Sequence, residues 1–143
     1  DGVTAQLQSS AKLIEAFVVQ ATAKYHTQSD RVFLVGFSQG AIMSYEVGLR
    51  RPEMLRGIAA LSGSVLPVLK AELRPDEQRK KLALFIGNGT LDQALPYALA
   101  TRANEVLQGL GLTPEFHGYP GMVHTINQAE VQDLSNWLEK SLR

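Results

Sequence analysis

The sequence predicts an α/β fold, in which helices cover both faces of a parallel sheet, in a single domain that spans residues 1–143. Apolar runs of strand length alternate along the chain with segments of helical periodicity. The strand candidates lack polar alternation, which is typical of parallel strands that are buried on both faces. A length of 143 residues with 45% hydrophobic residues is enough for one core and one domain.

The first third of the chain contains two predicted helices around one strand. Apolar residues at helical spacing predict an amphipathic helix from Val3 to about His26; they are Leu7, Ala11, Ile14, Phe17, Val18 and Ala21. A turn at residues 29–30 leads into a strand over Arg31–Gly36, and a second helix is expected over Ala41–Leu49. Small residues recur every four positions in that helix, at Gly40, Ser44 and Gly48, and would allow a close approach to a sheet.

The remaining elements follow the same alternation. Two short apolar runs, Gly57–Leu61 and Leu82–Ile86, are predicted strands, and the connection Val65–Lys81 between them contains two prolines. A third helix is expected from Leu95 to Leu110, with Gly111 in the C′ position that ends it. Glu115–Tyr119 is the last predicted strand. A terminal helix carries Val131, Leu134, Leu138 and Leu142 on one side, with Trp137 beside them.

Composition excludes several classes of function. The chain contains no cysteine, so thiol catalysis, thiolate metal sites and disulfides are all excluded. Its 14 basic and 14 acidic residues balance, and the one basic cluster, residues 79–81, follows two acidic residues, so no nucleic-acid partner is expected. No apolar run reaches the roughly 18 residues that a membrane span needs. No metal ion or organic cofactor is indicated.

The segment 36–40, Gly-Phe-Ser-Gln-Gly, lies where the strand gives way to the second helix. A serine on such a sharp turn is pushed out of the backbone, with the helix N-terminus beneath it. The two glycines are expected to leave room where strand and helix nearly touch. Ser38 is therefore the candidate nucleophile, and the backbone amide of Gln39 is a candidate donor to an oxyanion.

A serine hydroxyl needs a base, and the chain offers only three histidines. His26 ends the first helix and is interpreted as a surface residue. His117 lies inside the last strand, where a structural role is expected. His124 follows that strand, at the edge of the sheet where the carboxyl ends of parallel strands meet and ligands bind. We therefore interpret His124 as the base.

The acid that orients the histidine should come from the same edge of the sheet. Asp92 lies just past the strand Leu82–Ile86, although aspartate is also common in turns. The order Ser38, Asp92, His124 is the chain order of the α/β-hydrolase triad. Asp133 is the rival acid, but its place within the terminal helix predicts a surface carboxylate.

These motifs resemble the phospholipase/carboxylesterase family of α/β-hydrolases, which includes bacterial carboxylesterases and acyl-protein thioesterases. The resemblance covers nearly the whole chain; it depends on residues 36–40, on 61–63 with 66–67, on Asp92 with Pro96, and on Tyr-Pro-Gly-Met-Val-His at 119–124. It implies an α/β-hydrolase fold and a carboxylesterase that cleaves small or short-acyl esters through Ser38, Asp92 and His124. Apolar loop residues next to the motifs are the candidates for an acyl pocket, or equally for packing: Leu66, Leu95 and Met122.

The chain also departs from the family pattern at single positions. Asn88 stands where the family usually has histidine, and Gln93 where it often has proline. Ala41 and Val123 each replace a glycine. None of these changes removes a catalytic group, but Val123 could restrict the loop that carries His124.

The larger departure concerns the start of the chain, which resembles the C-terminal portion of the family. The family's N-terminal strands, and the early loop that supplies a second oxyanion donor, have no counterpart here. The strand Arg31–Gly36 would then lack a neighbour, so we expect a missing N-terminal segment or a second copy of the chain to cover that edge. A non-catalytic module acting in assembly, and a thioesterase, lactone hydrolase or peptidase of the same fold, remain alternatives.

Overall fold

A four-stranded parallel sheet forms the centre of the protein in a computed structural model that describes residues 2–143. The strands lie in chain order across the sheet and are β1 Phe33–Phe37, β2 Gly57–Leu61, β3 Ala83–Gly89 and β4 Glu115–Tyr119. The helices are α1 Gly2–Lys24, α2 Gln39–Arg50, α3 Pro67–Glu72, α4 Tyr97–Gly109 and α5 Gln128–Ser141. The alternation of strand and helix confirms the predicted fold class. No helix of residues 2–143 is long and apolar enough to cross a membrane.

Several boundaries differ from the prediction. The first strand begins two residues late, at Phe33, because Ser29–Arg31 forms a 3₁₀ turn. The third strand runs on to Gly89, and the connection 65–81 contains α3, a helix too short to show periodicity in the sequence. The predicted end of α4 is confirmed: Gly111 has φ +88°, and the amides of residues 111 and 112 donate to the carbonyls of residues 108 and 107.

Helices cover both faces of the sheet, as predicted. On one face, α2 and α4 bury the strand residues Ile58, Ala60, Leu84 and Ile86. On the other face, Trp137 of α5 meets the rings of Phe33 and Phe85, with centroids 5.5 and 5.8 Å away. The long helix α1 packs against α2, and its Val18 is part of the core on that face. The expectation that Phe17 shares this buried stripe was wrong, since its side chain is 69% exposed.

Glycine lets α2 approach the sheet at two points. A Cβ at Gly36 would overlap the carbonyl of Gly40, and a Cβ at Gly48 would overlap the side chain of Ile58. The prediction for Gly40 itself was wrong, because a Cβ there would meet nothing within 4 Å. The Gly40 carbonyl of α2 therefore contacts β1 at Gly36. Only Gly36 has to lack a side chain for this contact.

The helix α5 begins with a side-chain cap at Asn127, whose Oδ1 accepts from the Glu130 amide at 2.8 Å. We expect Asn127→Ala to lower the free energy of unfolding by about 1 kcal/mol, because it leaves that amide without its acceptor. Urea denaturation would measure the change. Asn127→Ser keeps a capping oxygen and should recover most of the loss; equal stability of the wild type and the alanine variant would contradict the prediction.

Candidate active site

Ser38 stands on a strained turn between β1 and α2, with φ 59° and ψ −119°. Residues other than glycine rarely adopt this backbone conformation, and it persists where surrounding bonds enforce it. The Ser38 amide donates to the Leu61 carbonyl at 2.9 Å, which ties the turn to the end of β2. The Ser38 carbonyl accepts from the amides of Ala41 and Ile42, at 3.0 and 3.2 Å, in the first turn of α2. The hydroxyl is therefore carried on a rigid part of the fold.

The hydroxyl of Ser38 meets His124, which follows β4. The distance from Ser38 Oγ to His124 Nε2 is 3.0 Å, and the distance from His124 Nδ1 to Asp92 Oδ2 is 2.8 Å. The three residues are far apart in the sequence, and each follows its own strand. The structure thus brings together the nucleophile, base and acid that the sequence predicts, in one chain of hydrogen bonds.

Asp92 is held by both of its carboxylate oxygens. Oδ2 contacts the histidine, and Oδ1 accepts from the backbone amides of Ala94 and Leu95 at 2.9 and 2.8 Å. Burial opposes ionisation of this carboxyl, but the hydrogen bonds from His124 and from the two amides outweigh it and lower the pKa of Asp92. Asp92 is therefore a fixed carboxylate that can orient an imidazole and balance a positive charge on it.

The loops that carry Asp92 and His124 are joined directly to each other. The Leu91 amide donates to the Met122 carbonyl at 3.0 Å, and the Gly121 amide donates to Thr90 Oγ1 at 2.9 Å. Gly89 makes this contact possible, because a Cβ there would overlap the Met122 carbonyl. The backbones of the two loops are thereby tied to each other.

Two of the remaining candidates, Gln39 and Leu66, each border a groove. Gln39 is the first residue of α2, so no carbonyl of that helix can accept from its backbone N–H. A groove of about 490 Å³ runs from Gln39 along the start of α1. Leu66 borders a different groove, of about 230 Å³, between α1, α2 and α3.

The other two residues proposed for the acyl pocket, Leu95 and Met122, lie in the loops that carry the acid and the histidine. Met122 is buried against Gly89. The amide of Leu95 donates to Asp92, and its carbonyl accepts from the buried side chain of Asn88 at 3.1 Å. The burial of Met122 supports the packing alternative that the sequence left open for that residue. The contacts of Leu95 are made by its backbone, and its side chain is half-buried.

The two histidines and the aspartate that were not predicted to be catalytic make contacts outside the candidate site. His26 is exposed at the end of α1. His117 stacks on Phe85, and its Nε2 lies 2.9 Å from a Glu115 carboxylate oxygen. Asp133, the rival acid, accepts from the Tyr119 hydroxyl at 2.9 Å.

Three further residues bear on the site and were not assigned a role from the sequence. The ring of Phe37 stacks on the ring of His124. Asn88 is fully buried and links β3 to the acid loop. Glu130 is a fully buried carboxyl in the first turn of α5, and the described residues offer its oxygens no hydrogen-bond partner. In the sequence, Asn88 was noted only as a departure from the family pattern. Glu130 lies among mostly polar residues outside the predicted apolar stripe, so its burial left no signal there.

A parallel sheet with a serine on a strained strand-to-helix turn, joined to a histidine and a carboxylate from later loops, defines the α/β-hydrolase class of fold. Within that class, the model of the phospholipase/carboxylesterase family matches residues 2–142. The chain therefore belongs to the phospholipase/carboxylesterase family, which confirms the resemblance found in the sequence motifs.

Known relatives and solved structures agree with this assignment. The chain is 36% identical over 116 residues to acyl-protein thioesterase 1 of Neurospora crassa, covering 80% of this chain and 47% of that protein. It is 30% identical over 134 residues to carboxylesterase SOBER1 of Arabidopsis thaliana, covering 94% of this chain and 58% of that protein. The crystal structure of Arabidopsis SOBER1 superposes with a TM-score of 0.85 at 29% identity, over 96% of this chain and 65% of that chain. The chain thus spans about half the length of these two relatives.

Proposed function

We propose that the protein is a serine carboxylesterase that hydrolyses small or short-acyl esters through Ser38, His124 and Asp92. The observation that carries this proposal is the continuous hydrogen-bonded chain from Ser38 Oγ through the imidazole to the buried Asp92 carboxylate, with distances of 3.0 and 2.8 Å. Family membership supports it, because relatives in this family are named as carboxylesterases and acyl-protein thioesterases.

The mechanism follows from the positions of the atoms. Ser38 Oγ attacks the ester carbonyl carbon while its proton passes to His124 Nε2, and the carbonyl oxygen becomes an oxyanion. The Gln39 amide donates to that oxyanion from the N-terminus of α2. The tetrahedral intermediate expels the alcohol, which takes the proton from Nε2 and leaves an acyl group on Ser38. Water then attacks the acyl-enzyme by the same proton route and releases the acid.

Asp92 acts through the histidine and does not take the proton. Its Oδ2 accepts a hydrogen bond from the Nδ1–H of His124, so Nε2 carries no proton and can accept the proton of the Ser38 hydroxyl. When the imidazolium forms, the adjacent carboxylate balances its charge. The low pKa of Asp92 keeps that carboxylate ionised at neutral pH.

A fluorophosphonate probe tests the proposal directly. We expect one equivalent of probe to react with the wild-type protein and to be found on Ser38 by peptide mass spectrometry. Ser38→Ala should take up none. A matched control is Ser62→Ala: Ser62 also follows a strand with positive φ, 56°, but its hydroxyl is fully buried. That variant should label like the wild type.

The same preparation distinguishes the alternatives. A folded wild-type protein that takes up no probe would contradict the esterase proposal and favour the non-catalytic module. If labelling succeeds, p-nitrophenyl esters of increasing acyl length would rank the substrates.

A thioesterase is the second candidate, favoured by the 36% identity to acyl-protein thioesterase 1 of Neurospora crassa. A higher kcat/KM for an acyl thioester than for the oxygen ester of the same acyl group would favour that candidate.

A further inference from the structure

The hydrogen bonds that hold His124 control only part of its orientation. Both bonds, to Asp92 and to Ser38, are made by ring nitrogens, whose hydrogens and lone pairs lie in the plane of the imidazole. Together they fix the line that passes through the two nitrogens. They resist rotation of the ring about that line only weakly, because hydrogen bonds tolerate a range of angles. Contacts on the face of the ring must set its tilt.

Phe37 supplies such a contact. Its ring stacks on the ring of His124, with centroids 4.8 Å apart and an angle of 28° between the planes. Phe37 is the last residue of β1, where it is paired in register with Leu61, and it directly precedes Ser38. The aromatic face is therefore carried by the same rigid strand as the hydroxyl that the imidazole must meet.

The loop that carries His124 has little packing of its own. The neighbouring side chain Val123 is 56% exposed, and Ile126 is 41% exposed. Met122 of this loop is buried, and it packs against Gly89 at the end of β3. The face contact with Phe37 thus adds a restraint on the imidazole ring that the loop itself does not provide.

We propose that Phe37 is a positioning residue, which fixes the tilt of the His124 ring and stabilises its positive charge in the transition state. This inference rests on the proposed function. When the proton of Ser38 Oγ passes to Nε2, the imidazole becomes an imidazolium that lies against the negative face of an aromatic ring. The attraction exists mainly for the charged form, so it lowers the barrier and leaves substrate binding unchanged. No bond is made or broken at Phe37.

The test compares variants of Phe37 with a change elsewhere on the same strand. Phe37→Leu keeps an apolar side chain but removes the aromatic face, and we expect kcat to fall about tenfold with KM within about twofold. The rate of fluorophosphonate labelling should fall in parallel. Phe37→Tyr retains the face and should restore kcat to within about twofold of the wild type. Val35→Ala is the matched control, because Val35 lies two residues earlier in β1, is 48% exposed and makes no ring contact with His124.

Nuclear magnetic resonance of the histidine ring gives a readout that does not depend on turnover. The aromatic ring current of Phe37 should shift the carbon-bound protons of His124 in the wild type and in Phe37→Tyr, and the shift should be lost in Phe37→Leu. This shift tests the ring contact itself. A merely structural role would change the unfolding temperature but leave kcat and the labelling rate near those of the wild type.

Two results would overturn the inference. One is a Phe37→Leu variant that hydrolyses esters and takes up the probe as fast as Val35→Ala. The other is a histidine spectrum that the leucine variant leaves unchanged. Failure of the proposed function would look different, because the wild-type protein itself would then fail to react with the probe.

Discussion

Replacing Asp92 by asparagine should lower kcat by about 10⁴-fold while leaving the fold intact. The reason lies in the backbone amides of Ala94 and Leu95, which donate to Oδ1 of the carboxylate. An asparagine must place its oxygen towards these two donors, because its NH₂ group cannot accept from them. The NH₂ group then points at His124 Nδ1, which has to accept. The proton of the imidazole moves to Nε2, and that nitrogen can no longer take the proton of Ser38.

Steady-state hydrolysis of a p-nitrophenyl ester would measure this loss, with the unfolding temperature recorded for each variant. Asp133→Asn is the matched control, since Asp133 is the rival acid and its carboxylate accepts from the Tyr119 hydroxyl. The control should keep kcat within about threefold of the wild type, as expected for a carboxylate outside the triad. A large loss in the control, or a folded Asp92→Asn variant that retains more than a tenth of the activity, would contradict the assignment of Asp92 as the acid.

Most of the fold could be predicted because its signals are local. An unbroken apolar run such as Gly57–Leu61 is a strand that is buried on both faces, and the structure gives it the same bounds. Gly111 ends α4 because its positive φ is a property of a single residue. The start of β1 was misplaced because competition between a 3₁₀ turn and a strand at residues 29–32 is decided by hydrogen bonds, which the sequence pattern does not contain.

The candidate site was predictable to the extent that it depends on topology. Ser38, Asp92 and His124 each follow a parallel strand, and the carboxyl ends of those strands share one edge. The contacts that surround them were not predictable. Phe37 reaches an imidazole 87 positions further along the chain, and no periodicity relates the two residues. The same limit applies to the burial of Met122, which depends on a contact between two loops.

Glu130 should make the stability of the protein depend on pH. The carboxyl lies in α5 against Gly87 of β3, where a Cβ would overlap Oε2. Burial is the largest cause that raises its pKa, from its ordinary 4.5 to about 7; the charge of Asp133 adds to the rise, and His117 opposes it. The folded protein therefore binds this proton more tightly than the unfolded chain does. The contribution of Glu130 to the free energy of unfolding is therefore greatest below about pH 4.5. It falls by about 3 kcal/mol in all as the pH rises through 7.

Glu130→Gln should remove this dependence, because the amide keeps the shape of the side chain but does not ionise. We compare the free energy of unfolding of variant and wild type by urea denaturation at pH 5 and pH 8. Most of the stability that the wild type loses through ionisation of Glu130 is lost between these pH values. The free energy of unfolding of the variant should therefore gain about 2.5 kcal/mol relative to that of the wild type. Other titrating groups are common to both proteins and largely cancel in this difference.

Glu139→Gln provides the matched control, since Glu139 lies on the same helix and its side chain is exposed. Its difference from the wild type gives the background against which the Glu130→Gln difference is read. A Glu130→Gln difference that stays flat between pH 5 and pH 8 would show that the buried carboxyl is not neutral in the folded protein. A water molecule or a shifted side chain would then have to satisfy its oxygens, and α5 would hold a charge beside the sheet at the end of the loop that carries His124.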